Sequence, residues 1–155
     1  MNKQPIDELI QLLEKYELSI ATLYETFASV LPESKNAWMA FADQERNHAK
    51  WLNTLYTHLK DGKISSEQTK FTVQSTKTAI DYIETQIDKT VKEKVDLKQS
   101  LNIAINIEKS LIESAFFKVF KLSIPEVQKI RSRLEEATKS HIDRLMEWRK
   151  SIVKA

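Results

Sequence analysis

The stretch WMAFADQERNHAKWL, residues 38–52, decides the fold of this chain. Trp38, Phe41, Glu45, His48 and Leu52 recur at steps of three and four, so they share one stripe of an α-helix. Leu55 and Leu59 extend that stripe. Ser34 precedes it as a candidate cap, and the chain's one glycine, Gly62, follows it where a helix C-terminus favours glycine. Two of the five stripe positions, Glu45 and His48, carry ionisable groups where the period demands apolar ones.

Outward from this helix the same period repeats. Upstream, Ile6, Leu9, Leu13, Ile20, Tyr24, Phe27 and Leu31 mark a first helix over 5–30, opened by Pro5 and closed by Pro32. Downstream, the polar run 61–72 reads as a loop, followed over 73–94 by a shorter connecting helix with Ile80, Ile83, Ile87 and Val91 on one face. A third helix over 96–121 carries Leu101, Ile105, Leu111, Ile112, Ala115, Phe116 and Val119. Ser123 through Glu126 has the form of a capping box with Pro125 in the first turn, starting a fourth helix that runs to about 153. That helix carries Ile130, Leu134, Leu145, Trp148 and Ile152. Tight turns make helices one and two antiparallel neighbours, and likewise three and four. The connection between the pairs is long enough to run the length of a bundle. The expectation is an all-α four-helix bundle with one long, partly helical crossover, forming one domain over 1–155.

Composition narrows the classes further. One glycine in 155 residues is too few for a sheet-rich fold, whose tight turns call for positive φ. The absence of cysteine excludes thiolate ligands and disulfide staples. Charge is balanced, with 24 basic and 22 acidic residues spread along the chain, which gives no footprint for nucleic acid or an anionic membrane. No apolar run approaches the ~20 residues of a membrane span, and the first residues lack the apolar core of a secretory signal. A cytoplasmic location is therefore expected. The lysines at 89, 92, 94 and 98 alternate with Asp88, Glu93 and Asp96 and read as a solvated face. His58 suits the end of its helix dipole, and Trp38, Trp51 and Trp148 suit packing.

The misplaced polar residues carry the chemistry. Glu17 shares a face with Leu13, Ile20 and Tyr24. Glu45 and His48 sit between Phe41 and Leu52. Glu108 lies among Ile105, Leu111 and Ile112, and His141 lies between Leu134 and Leu145 with Thr138 one turn before. Glu17 and Glu45 stand at matching distances on either side of the turn at 31–33, as Glu108 and His141 do about the turn at 122–124, so each pair meets at one height. Arg46 and Lys109 point roughly a hundred degrees away from these stripes. Buried carboxylates without such partners repel one another and lose their hydration, and divalent cations remove both penalties.

This set, Glu17 with Tyr24, Glu45-Arg-Asn-His48, Glu108 and His141, resembles the ligand pattern of ferritin-like, carboxylate-bridged dimetal proteins, and within them the rubrerythrin-like branch. The resemblance implies terminal roles for Glu17 and Glu108, a bridging role for Glu45, one nitrogen each from His48 and His141, and a phenol, Tyr24, beside Glu17. It implies iron, one or two ions per chain, with manganese or zinc as alternatives, and oxidoreductase chemistry on peroxide or dioxygen in which Glu45 and Tyr24 take part. It also implies a further bridging carboxylate three residues before His141, where this chain has Thr138. Glu135 and Glu136 stand about 120° and 140° around the helix from His141 and do not replace it. Three carboxylates against two divalent ions leave one positive charge over, which a hydroxide or an exogenous carboxylate can balance. Without cysteine there is no rubredoxin module, so an enzyme of this kind needs a separate electron-donor protein. Non-catalytic metal binding or protein interaction, and ferroxidase-type iron handling, are the rival expectations. Ile-rich and aromatic helix faces suggest a homodimer.

Overall fold

The computed structural model describes residues 5–59, 66–113 and 125–153. These form five helices: α1 (Pro5–Val30), α2 (Lys35–Leu59), α3 (Ser66–Glu93), α4 (Leu97–Glu113) and α5 (Pro125–Val153), with a 3₁₀ turn, Pro32–Ser34, between α1 and α2. α1 packs against α2 and α3, α2 against α5, and α5 against α4. α1, α2, α4 and α5 are the four bundle helices, and α3 is the crossover laid along α1. None of the described helices is long and apolar enough to cross a membrane.

The crossover is more helical than its sequence suggests. Residues 61–72 read as a loop because they are polar, yet α3 begins at Ser66 and runs for 28 residues. Glu67, Gln68 and Lys70 are good helix formers, and neither Gly nor Pro interrupts the chain from 63 to 93. Polarity alone does not break a helix. Its buried stripe is Thr76, Ile80, Ile83 and Thr90, whereas Val91 is 63% exposed. Seven residues on from Ile83 is Thr90, not Val91, and its hydroxyl donates to the Gln86 carbonyl at 2.7 Å. The threonine is thereby accommodated inside.

The helix junctions show which caps are real. Ser34 does not cap α2: it sits in the 3₁₀ turn and donates to the Leu31 carbonyl at 3.2 Å. At the start of α4, Asp96 and Gln99 bond reciprocally, Gln99 N to Asp96 Oδ1 at 2.8 Å and Asp96 N to Gln99 Oε1 at 2.9 Å. That satisfies two donors at a helix start. Lys94, just before, has φ 52°, the left-handed geometry that ends α3 without a glycine. α5 is described from Pro125 onward. Ser123, Gly62 and the third-helix positions 114–121 lie outside the described residues.

The core is aromatic near the α1–α2 turn. The Trp38 ring lies 4.8 Å from Phe27, 5.4 Å from Tyr24 and 5.0 Å from Trp148, tying α1, α2 and α5 together. Leu9, Leu13, Ile20, Leu52, Leu101, Ile105, Leu134 and Leu145 continue the apolar interior along the bundle. The Lys/Asp/Glu face from 88 to 98 is exposed throughout.

Candidate metal centre

The apolar stripes deliver their polar members to one place. Glu17 and Tyr24 come from α1, Glu45 and His48 from α2, Glu108 from α4, and Thr138 and His141 from α5; all are buried, Tyr24, Glu45 and Glu108 completely. The neighbouring cations stay outside. Arg46 pairs with Glu25 and Asp43 at the surface, and Lys109 is exposed.

Glu45 stands in the middle. Its Oε1 lies 3.0 Å from His141 Nδ1, and its Oε2 lies 3.3 Å from His48 Nδ1. On one side, His48 Nδ1 is 3.8 Å from Glu17 Oε2. On the other, His141 Nδ1 is 3.3 Å from Glu108 Oε1. Two half-sites result, Glu17/Glu45/His48 and Glu45/Glu108/His141, which share one carboxylate with an oxygen turned to each. The two imidazole rings stack at 5.0 Å between centroids. Among the described residues, Glu45, His48 and His141 offer ligand atoms that all lie within 4.8 Å of one another, a candidate metal group of three buried residues.

Two details differ from the pattern in the sequence. The Tyr24 hydroxyl donates to Glu108 Oε1 at 2.8 Å, and therefore serves the α4 carboxylate, not Glu17. Helical periodicity gives the face of α1 on which Tyr24 lies but not which helix stands opposite. Tyr16 belongs to the same neighbourhood: it is buried, and its phenol is held well above its usual range by burial, then by the charges of Glu17, Glu108 and Glu45. The signal was present, since Tyr16 falls three residues after Leu13 and four before Ile20. Thr138 is buried beside them, but its hydroxyl donates back to the Leu134 carbonyl at 2.9 Å and offers the cluster no donor. Glu135 faces Arg131, and Glu136 is exposed.

The electrostatics show what the cluster lacks. Among the described residues, Glu17 Oε2, Glu45 Oε2 and Glu108 Oε2 are buried acceptors without a hydrogen-bond partner. Each such orphan costs about 1–3 kcal/mol. Burial pushes the Glu45 carboxyl well above the usual range, and the charges of Glu108 and Glu17 push it further. Burial also acts upward on Glu108, but hydrogen bonds from His141, Glu45 and Tyr24 outweigh it and leave that carboxyl low. The Tyr24 phenol is raised by burial and then by Glu108 and Glu45, so it remains a donor. Three orphaned carboxylate oxygens beside two imidazoles are an oxygen–nitrogen ligand set without sulfur, of the kind that suits iron, manganese or zinc. The chemistry of these residues fits a metal cation, with Glu45, His48 and His141 the group that brings its ligand atoms together. Apolar walls close around them, with Phe41 edge-on to His141 at 5.3 Å and Trp51 beside His48 at 5.3 Å.

No curated protein and no solved structure matches the chain. The model of one family, Rubrerythrin, matches residues 14–149, a span that holds every residue of the cluster. With the helical architecture, the buried carboxylate–histidine group and this match, the chain belongs to the rubrerythrin family.

Proposed function

We propose that this protein is a metal-dependent oxidoreductase that reduces hydrogen peroxide or dioxygen at a pair of transition-metal ions, iron first among them. The observation that carries the reading is Glu45, buried, with one oxygen toward each histidine and flanked by Glu17 and Glu108. In this reading Glu17 and Glu108 are terminal ligands, Glu45 bridges, and His48 and His141 each give a nitrogen. Bound ferrous ions would supply the electrons and hold the oxidant.

The chain's own residues do the rest. Glu45, with one oxygen toward each histidine, would help hold the ions. Tyr24 holds Glu108 in place through its hydrogen bond. Phe41 and the aliphatic core keep bulk water from the carboxylates on the sides away from the α2–α5 seam. Reduction of peroxide to two waters consumes two electrons and two protons, and the electrons return from a separate donor protein.

Thr138 favours a second reading. Its hydroxyl is turned into its own helix, so the α5 half-site has one carboxylate fewer than a symmetrical centre. A chain that binds metal without turnover, or that oxidises ferrous iron without reducing peroxide, agrees with that. Anaerobic loading with ferrous iron, a stoichiometry measurement, and mixing with peroxide separate these readings. Two irons per chain and oxidation much faster than that of free ferrous iron support the enzyme. Bound iron that peroxide does not oxidise faster supports the binding module. No bound metal and an unchanged Tm would overturn all metal-based readings.

A further inference from the structure

Beside the cluster, between α2 and α5, lies a cavity of about 210 Å³ lined by Gln44, Asn47, His48, Trp51, Ser140, His141 and Arg144 among others. Both cluster histidines form part of its wall, so it leads from the surface to the two half-sites. Its rim carries one permanent cation, Arg144. The Arg144 guanidinium lies 4.7 Å over the Phe41 ring, which is itself edge-on to His141, and one N–H donates to Gln44 Oε1 at 3.1 Å. Those two contacts fix the group across the α2–α5 seam. A guanidinium has five N–H donors, so the bond to Gln44 leaves others for a ligand.

Beside three acids alone, the Arg144 guanidinium offsets part of their charge, and an anion entering past it meets repulsion behind. Once cations stand in both half-sites, the cluster no longer repels an anion. Glu17, Glu45 and Glu108 then contribute −3 against +4, and each ion has a single imidazole, a terminal carboxylate and a share of Glu45. One positive charge and several coordination positions remain, in an interior where an uncompensated charge is costly. Thr138 gives nothing toward them. The opening faces the histidines of both half-sites.

We propose that the α2–α5 cavity is the entry and binding site for a small exogenous carboxylate, which completes the charge and coordination of the metal-loaded centre, and that Arg144 is its positioning residue. This rests on the two-ion reading of the cluster. Reciprocity then requires that the carboxylate tighten the metals as the metals tighten the carboxylate, by about fivefold or more for a direct contact of this kind. Arg144 lies outside the ligand set and acts through the anion.

The test uses cobalt(II) as metal and acetate as anion, at constant ionic strength with perchlorate as the balancing salt. Cobalt affinity, ions bound per chain and the visible d–d absorption of the loaded protein are recorded. The expected result is an acetate-dependent change in the d–d bands, with tightening of the weaker cobalt by fivefold or more. Arg144→Gln should remove most of that dependence and Arg144→Lys should restore part of it. Thr138→Glu, which places a carboxylate within the chain, should make binding independent of acetate. Two cobalt ions per chain with the same affinity and spectrum with and without acetate would overturn this proposal and leave the metal centre standing. An acetate effect unchanged in Arg144→Gln would overturn the role of Arg144. No bound cobalt under any condition would overturn the metal reading itself, and this proposal with it.

Discussion

His48 and His141 occupy like positions in the two helix pairs, each buried, each on the inner face, each within reach of Glu45. One turn earlier they part. Glu45 precedes His48, and Thr138 precedes His141, with its hydroxyl returned to the Leu134 carbonyl. The α1–α2 half therefore supplies two carboxylates to the cluster, and the α4–α5 half supplies one, held by a tyrosine from α1. The difference teaches that the two halves are not independent sites. The half with fewer acids depends on the other for the carboxylate beside His141, Glu45, and for the phenol that holds Glu108.

The strongest way to break that comparison is to remove what both halves share. Glu45→Leu should abolish metal binding in both half-sites. It should also leave the stability of the metal-free protein within about 3 kcal/mol of the parent, because relief from crowding by Glu17 and Glu108 opposes the loss of the contact with His141. Metal titration and thermal melts check the two effects, and binding that survives in Glu45→Leu would contradict the shared role.

Making the halves alike is the next largest change. Thr138→Glu should raise occupancy of the α5 half-site toward one ion while destabilising the metal-free protein, whose core would then hold a fourth carboxylate. Unaltered stoichiometry would argue that this position does not face the centre. Tyr24→Phe is a milder intervention. It takes the hydrogen bond from Glu108 and should weaken the Glu108/His141 position by about tenfold, leaving the Glu17/His48 position closer to its original affinity. Equal loss at both would mean that Tyr24 does not distinguish them.

The smallest effects lie at the helix entries. Asp96→Ala removes a reciprocal cap at the start of α4 and should cost about 1 kcal/mol. Ser34→Ala at the entry to α2 should stay within about 0.5 kcal/mol, since that side chain bonds only within the preceding 3₁₀ turn. Denaturant melts of the two variants check the pair.

Much of this architecture was legible in the sequence, for a specific reason. A helical stripe reports which residues face inward without saying what they face, so Glu17, Glu45, His48, Glu108 and His141 could be assigned to the interior from periodicity alone. Periodicity places Tyr24 in the core but does not give its partner, Glu108, which is 84 residues away on a helix whose placement no local pattern encodes. The early start of α3 was hidden because Ser66 to Lys70 lack apolar markers while favouring helix. A four-residue step from Ile87 points to Val91 as the inner residue, whereas the buried one is Thr90, three residues on. The cap at Asp96 was available in the sequence, as an acid followed three residues later by Gln99. The seam formed by Arg144, Gln44 and Phe41 was not, since it joins α2 to α5 across the bundle.

The central claim is that acids from separate helices share an interior that cations make tolerable, and anomalous diffraction from crystals soaked in manganese(II) addresses it most directly. The account predicts two peaks inside the bundle, one between Glu17, Glu45 and His48 and one between Glu45, Glu108 and His141, with an oxygen of Glu45 toward each. An interior without anomalous density, its carboxylates bonded only to one another and to the histidines, would contradict it.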